Sequence, residues 1–395
     1  MALRPTMFAQ SRDAFLGMVH SVLSFQSKTY KFADARLDPD QVGNTISSGD
    51  VTNDWAFKVI TKALTFIPSR PVLDIVLDLA QGDTGKGKIT YNYLVKGDYT
   101  HVLRGSSGAN AGHQIVVNDV KYTTHIVPCG VFHNTPSIIG SGCVVHPKSF
   151  LKEIEGLEKA GFNASSLTKI SHAAHIVTDA HLEEEAAEAK IGTTKQGIGP
   201  AYRDKASRIG IRAESIPELK PYLIDVYQEL YPSSIILGEG AQGFYLDLDL
   251  GSYPYVTSSS TTHAGFLANG LPASSVRQVI GTIKAYTTYV GALAFQPEGD
   301  IFNKIAELGH EYGSTTGRRR QVNFLDLNAL TKAANMTGIH TLVVSKMDIL
   351  KQLNCWKLIE NNEVIDLQFE DAFKAKISQL LPNIEIRWSY SPKEI

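Results

Sequence analysis

The sequence predicts an α/β fold: a large, mostly parallel sheet with flanking helices and small decorating hairpins. Three observations carry this expectation. An apolar run, Val72 to Leu79, leads directly into Gln81-Gly82-Asp83-Thr84-Gly85-Lys86-Gly87-Lys88. From Pro71 onward, strand-like and helix-like segments alternate. The 395 residues suffice for one large domain or two smaller ones.

Val72 to Leu79 reads as a buried strand. In the loop after it, three glycines let backbone N–H groups approach phosphate oxygens, and two lysines add positive charge. The spacing Gly82-x-x-x-x-Gly87-Lys88 nearly fits the common P-loop. Ile89, however, stands where that pattern needs a Ser or Thr hydroxyl for Mg²⁺, so the loop is P-loop-like but not Walker A. Asp83 lies inside it. A carboxylate among phosphates is repelled unless a metal or a protonated substrate group needs it. The plain alternative is a glycine-rich turn with a solvated Asp, where two lysines gain nothing from packing.

Further along, His101–Leu103, Val116–Val120, Ile138–Ile139, Ile235–Leu237, Val279–Lys284 and Thr341–Ser345 read as extended. Lys148 to Ala160, Ala180 to Lys190 and Ile349 to Leu353 read as helical. Asn118-Asp119 marks a hairpin turn between Ile115 and His125.

Residues 1–70 stand apart as a helical extension before a catalytic domain at 71–395. Phe15, Met18, Val19, Val22 and Leu23 follow helical spacing, and a second helix is expected from Asn53-Asp54 through Leu64. The first thirty residues carry Arg4, Arg12 and Lys28 against Asp13 alone, a bias shared with transit peptides. Asp38, Asp40, Asp50 and Asp54 follow closely and there is no arginine-rich tract, so an appended helical element is the reading adopted.

The chain is 43% hydrophobic and 20% charged, with a formal net charge of −2, which argues against nucleic-acid binding. No apolar run reaches membrane-spanning length. Cys129, Cys143 and Cys355 are scattered, odd in number and outside metal-ligand spacing, which fits a reducing, cytoplasmic location.

The remaining signal lies in polar, glycine-rich segments. Arg104 to His113 ends in Asn110-Ala111-Gly112-His113. Gly192-Thr193-Thr194-Lys195-Gln196-Gly197 offers hydroxyls, N–H groups and a lysine, a set suited to a phosphomonoester. Gly240-Ala241-Gln242-Gly243 places an amide between glycines, and Tyr253 to Thr262 is a hydroxyl cluster. Gly313-Ser314-Thr315-Thr316-Gly317-Arg318-Arg319-Arg320 sets arginine forks beside hydroxyls, suited to bidentate capture of carboxylate or phosphate. The plain reading of three adjacent arginines is a solvated turn. Together these segments predict at least two phosphate sites and one carboxylate site.

In this order, GDxGKGK, NAGH, GTTxxGIGPAYxDK, EGAQGxxLDxDxGxYPYVTSS and TTGRRR resemble the adenylosuccinate synthetase family, over roughly residues 72 to 395. The resemblance implies a homodimeric, Mg²⁺-dependent ligase that joins L-aspartate to the 6-position of IMP, driven by GTP hydrolysis. It implies that Asp83 takes the purine N1 proton, that His113 stabilises charge at O6 as the γ-phosphoryl group arrives, and that Lys86 holds phosphates. Asp83 and the Gly112 carbonyl would ligate Mg²⁺. Gln242, counted with the catalytic residues, and Asn110 would touch the purine. Thr193, Thr194, Thr257 and Val290 would line the acceptor site, with Arg208 donated to the partner subunit. Thr316, Arg318 and Arg320 would bind aspartate. Gly82, Gly85, Gly87, Lys88, Gly112, His113 and Arg320 would contact the donor nucleotide, and Lys346, Asp348, Ser389 and Ser391 its base. Asp348 suits guanine, which offers N1–H and N2–H₂ together; the plain alternative is a cap on the following helix.

Several positions depart from the family pattern: Thr84 for the usual glutamate, Ser106 to Ala109 before NAGH, Tyr289 for an arginine, and Ser391 for a glycine. A compact form of the family occurs in archaea and in some phages, and certain phage relatives act instead on dGMP with ATP. Typical members of that branch lack the catalytic aspartate, and some intermediate members keep it. Three readings follow: an IMP ligase, the same chemistry on dGMP, and an inactive nucleotide-binding relative. The third conflicts with the presence of Asp83, Lys86, His113, Gln242 and Arg318.

Overall fold

The strand β1 (Val72–Asp78) is buried on both faces along nearly its whole length, as a strand must be when helices cover both sides of a parallel sheet. The computed structural model describes residues 70–187, 192–231, 234–313 and 317–395. The helices expected before residue 70, the end of the helix expected to reach Lys190, and Thr316 lie outside the described residues.

After β1, the helix α1 (Lys86–Lys96) begins at Gly85 and leads to β2 (His101–Ser107). A hairpin of β3 (His113–Val117) and β4 (Val120–Thr124) turns at Asn118 and Asp119, which both take positive φ, 49° and 66°, as a tight hairpin turn requires. Next come β5 (Ser137–Val145), α2 (Pro147–Lys159), β6 (Thr168–Ser171), β7 (His175–Ile176), α3 (Asp179–Ala187), α4 (Ile198–Ser207), β8 (Leu223–Ile224) and β9 (Ile235–Glu239). The chain continues through β10 (Val276–Lys284), β11 (Tyr286–Tyr289), α5 (Asp300–Leu308), β12 (Gln321–Asp326), α6 (Leu327–Thr337), β13 (Thr341–Ser345) and α7 (Met347–Leu353). It closes with β14 (Lys357–Glu360), β15 (Glu363–Asp366), α8 (Glu370–Leu380) and β16 (Glu385–Trp388).

The main sheet has the order β16-β13-β10-β1-β9-β2-β5-β6-β8, with β7 beside β5. Every pairing within it is parallel. Antiparallel pairs occur in the hairpin and in a smaller sheet of order β11-β12-β14-β15. That smaller sheet was not legible beforehand, because its strands of four to six residues carry no clear alternation.

The largest apolar cluster packs β1, β10 and β13 against α5, α6, α7 and α8, through residues such as Leu73, Ile283, Phe302, Leu330 and Phe373. A second cluster lies under β5 and β6, around Phe150, Ile139 and Ile170. Charge enters β1 at two buried points. Asp74 is held by Arg277, Gln278 and Tyr99 at 2.6–2.8 Å. Asp78, at the carboxyl end, faces the loop that follows. In open parallel sheets, ligands bind outside the carboxyl ends of the strands. The loops after β1, β2, β9, β13 and β16, with Lys284 at the end of β10, all reach one cavity there.

Candidate active site

The cavity measures about 1070 Å³, larger than most sites for a single small ligand. Its floor is the phosphate loop. Gly82, Asp83 and Gly85 take φ of 93°, 62° and 96°, so successive N–H groups turn toward one concavity. Gly87 is needed for a different reason: a Cβ there would lie 2.9 Å from the His113 Cβ, where the hairpin crosses α1. The loop is organised by Asp78, which sequence reasoning missed. One carboxylate oxygen accepts from the N–H groups of Ala80 (2.8 Å) and Gly82 (3.3 Å). The other accepts from Thr84 Oγ1 (2.6 Å), Thr84 N (3.2 Å) and Lys86 Nζ (3.0 Å). Lys86 also donates to the Gln242 carbonyl. Thr84, in place of the family's glutamate, is thus part of the loop's frame. The only prior hint of Asp78 was an acid closing an apolar run.

Asp83 faces the cavity with its carboxylate one-third exposed, and its Oδ2 accepts from Arg320 Nε at 2.8 Å. Arg320 Nη1 also donates to Glu311 Oε2 (2.6 Å), which takes Lys284 Nζ as well (2.8 Å). Tyr286 donates to the other Glu311 oxygen at 2.7 Å. Burial opposes ionisation of Glu311, but Lys284 and Arg320 outweigh it and hold its carboxyl down at about 2. Burial lowers the Lys284 ammonium to about 8, against the pull of Glu311. Two acids and two bases therefore form a balanced chain running out from the interior to Asp83. Lys284 and Glu311 carried no motif signal beyond their neighbours.

His113 heads β3, and a second buried charge network fixes it. Its Nδ1 bonds Glu239 Oε1, which also accepts from Arg104 Nη2, while Glu239 Oε2 accepts from the Cys129 N–H at 2.6 Å. Since a carboxylate only accepts, Nδ1 carries the proton and Nε2 the lone pair. Burial, and then nearby Arg104, push the imidazole down to about 4 despite Glu239. Nε2 is buried and unpartnered among the described residues, and His113 lines the cavity. Glu239 is held well below the usual carboxylate range: burial opposes ionisation, but Arg104 and His113 prevail. Ligand atoms of His113, Cys129 and Glu239 lie within 4.8 Å of one another. The cation already there is Arg104, and burial keeps the Cys129 thiol protonated, so this cluster is no metal centre.

On the neighbouring wall, Ser107 Oγ lies 2.8 Å from Asn110 Oδ1 and 2.6 Å from Gln242 Oε1, and Asn110 Nδ2 reaches Thr257 Oγ1 at 3.4 Å. Thr193, Thr194, Thr257 and Val290 line the same cavity. Arg318 also lines it and donates to the Gly192 and Thr193 carbonyls at 2.9 and 3.3 Å, tying two glycine-rich loops together. At the far corner are Lys346, Asp348 and Ser391. Asp348 lies inside the first turn of α7, whose N-cap is Lys346, so the capping alternative does not hold. Ser389 does not line the cavity; it is buried behind this corner and bonded to Lys88 at 2.7 Å. Gly112 lines the cavity next to His113. Arg208 does not: it ends α4 in a left-handed conformation and is exposed.

A parallel sheet that presents a non-Walker phosphate loop, a carboxylate held by arginine and a carboxylate-backed histidine at one cavity has the make-up of a nucleotide-binding enzyme. The sequence profile of the adenylosuccinate synthetase family matches residues 75–222 and 213–385. The adenylosuccinate synthetase of Exiguobacterium sp. is 38% identical over 346 residues, 73% of this chain and 80% of that protein. That of Streptococcus sanguinis is 34% identical over 363 residues, 78% and 84% of the two chains. The fully ligated adenylosuccinate synthetase of Plasmodium falciparum superposes with a TM-score of 0.71 at 29% identity, covering 81% of this chain and 97% of that one. A cyanophage S-2L succinoaminodeoxyadenylate synthetase, PurZ, bound to dGMP and dATP, shares the fold (TM-score 0.66, 22% identity, 82% and 94% covered). The chain belongs to the adenylosuccinate synthetase family, the carbon–nitrogen ligases of purine biosynthesis. Among the described residues, no helix is long and apolar enough to cross a membrane.

Proposed function

We propose that the protein joins L-aspartate to the 6-position of IMP with hydrolysis of GTP, giving adenylosuccinate, GDP and phosphate through a 6-phosphoryl intermediate. The observation that carries this reading is Asp83: a carboxylate kept inside a phosphate loop, facing the cavity and backed by Arg320. Phosphate binding alone gives it no purpose. Removing a proton from purine N1 does, because deprotonation makes O6 a nucleophile. Arg320 occupies Oδ2, and a carboxylate has acceptor positions left for N1–H.

His113 supports O6. Its Nε2 points at no protein group, and Glu239 behind Nδ1 favours proton uptake once anionic phosphates replace water nearby. Gln242 and Asn110 hold the purine edge, Thr193, Thr194 and Thr257 the acceptor's phosphate, and Arg318, Arg320 and Thr316 the aspartate carboxylates. Lys86 and the loop N–H groups bind the donor's phosphates. Val290 lines the acceptor site, and Arg208 of the partner subunit in a homodimer completes it.

Mg²⁺ suits the donor set of Asp83 and the Gly112 carbonyl: both are hard oxygens beside a phosphate loop, and few in number, which leaves positions for water and phosphate oxygens. When bound, it would neutralise charge on the transferred phosphoryl group.

The deciding experiment supplies IMP or dGMP, each with GTP or ATP, and follows aspartate-dependent phosphate release. Turnover with IMP and GTP supports the proposal. Turnover confined to dGMP moves the protein to the chemistry of the phage enzyme, and no turnover with any pair refutes both.

A further inference from the structure

Lys86 and Lys88 both belong to the phosphate loop by sequence, yet the structure uses them differently. Both lie in α1, two residues apart, so they leave the helix roughly 200° apart; both border the cavity, but their ammonium groups are held by different partners. Lys88 turns to the segment 389–394. Its ammonium donates to Ser389 Oγ (2.7 Å), the Ser391 carbonyl (3.1 Å) and the Glu394 carbonyl (3.3 Å). All three donors of a lysine are thereby used. Asn92, one turn further along α1, donates to the Lys393 carbonyl at 2.9 Å. Ser389 Oγ in turn donates to the Glu394 carbonyl at 2.7 Å, closing the segment on itself.

The same segment is bonded to the corner that carries Asp348. The Ser389 N–H donates to the Val344 carbonyl (2.8 Å), and the Ser389 carbonyl accepts from Met347 N–H (3.2 Å) at the start of α7. Asp348 follows Met347, and Asp348, Lys346 and Ser391 line the cavity while Ser389 sits behind them. Burial, then Lys346, lower the Lys88 ammonium to about 8 against the pull of Asp348, in keeping with its place among these groups.

We propose that Lys88 is a positioning residue for the site that reads the donor's base, and not a phosphate ligand. It clamps segment 389–394 against the start of α7 and so fixes Asp348 and Ser391 in relation to each other. This inference rests on the proposed function, since it assigns the donor's base to that corner. A phosphate contact and a base-site clamp differ in one measurable way. Losing the former weakens every nucleoside triphosphate equally; losing the latter erodes discrimination between bases.

The test measures kcat/KM for GTP and for ATP at saturating acceptor and aspartate in the wild type, Lys88→Met, Lys88→Arg, Ser389→Ala and the double variant Lys88→Met/Ser389→Ala. Equilibrium binding of the two nucleotides to the same proteins accompanies the kinetics. A failed ligase assignment thus shows as absent turnover, and a failed clamp as unchanged base preference in binding. Removing a charged hydrogen-bond donor is expected to shrink the wild-type donor preference roughly tenfold or more in Lys88→Met, mainly through KM, with kcat falling far less. Lys88→Arg restores most of the preference, and the double variant loses less than the sum of the two single effects, because the two substitutions share the Lys88–Ser389 bond. Equal weakening of GTP and ATP, loss confined to kcat, additive effects, or a wild type with no donor preference would each overturn the proposal.

Discussion

Arg320 Nε lies 2.8 Å from Asp83 Oδ2, and the same guanidinium reaches Glu311 at 2.6 Å, so the carboxylate facing the cavity is tied to a buried one through a single arginine. Asp83 is thereby held in place in a loop where its φ of 62° is one that non-glycine residues seldom adopt. The first prediction concerns this carboxylate. Asp83→Ala is expected to leave the protein folded and to cut turnover by roughly 10²–10⁴, the usual contribution of a positioned base. Steady-state phosphate release checks the rate, and circular dichroism checks the fold. Near-wild-type turnover would remove Asp83 from the chemistry.

Glu311 is the next point of failure. Glu311→Gln removes the counter-charge that Lys284 and Arg320 share in a nearly dry environment. Breaking a buried pair from one side costs about 3–5 kcal/mol, which urea denaturation would register. The KM for L-aspartate should rise as well, because Arg320 loses its anchor. An unchanged denaturation midpoint together with an unchanged KM would contradict this role.

His113 gives the fold a pH signature. The imidazole sits at about 4 in the folded chain against 6.5 in the unfolded one, so between these values the unfolded state binds the extra proton. Stability from the neutral, Glu239-bonded imidazole is therefore complete above about pH 6.5 and is lost as pH falls toward 4. Measured with EDTA, the stability difference between wild type and His113→Gln should be constant above pH 6.5, shrink steadily down to pH 4 and level off below. A difference independent of pH would mean that His113 titrates normally.

Arg208 tests the shared site. It is exposed at the end of α4 and does not line its own cavity. Arg208→Ala should raise the KM for IMP roughly tenfold or more, the effect of losing a charged hydrogen bond, with little change in Tm. Mixing it with inactive His113→Ala should restore partial activity in hybrid dimers, because each subunit then supplies what the other lacks. A monomer in sedimentation, or hybrids without recovery, would rule out a shared site.

The sequence by itself determined the parallel α/β class, the strand that carries the phosphate loop, and the position of Asp83, Lys86, His113 and Gln242 in colinear motifs. These were legible because glycine spacing and apolar runs are local, and each motif is read within about ten residues. The tertiary structure decided which charges neutralise which. Arg320 meets Asp83 across 237 positions and Glu239 meets His113 across 126, pairings made where the smaller sheet and the hairpin pack on the carboxyl ends of β1 and β9 and set by no local period. Asp78, Arg104, Lys284 and Glu311 are single buried charges with no motif of their own, and each is matched by a partner that only folding brings near, inside a medium where an unpaired charge is costly. For the same reason two lysines of one loop are engaged differently: composition places both near phosphate, and only the fold commits the ammonium of Lys88 to segment 389–394.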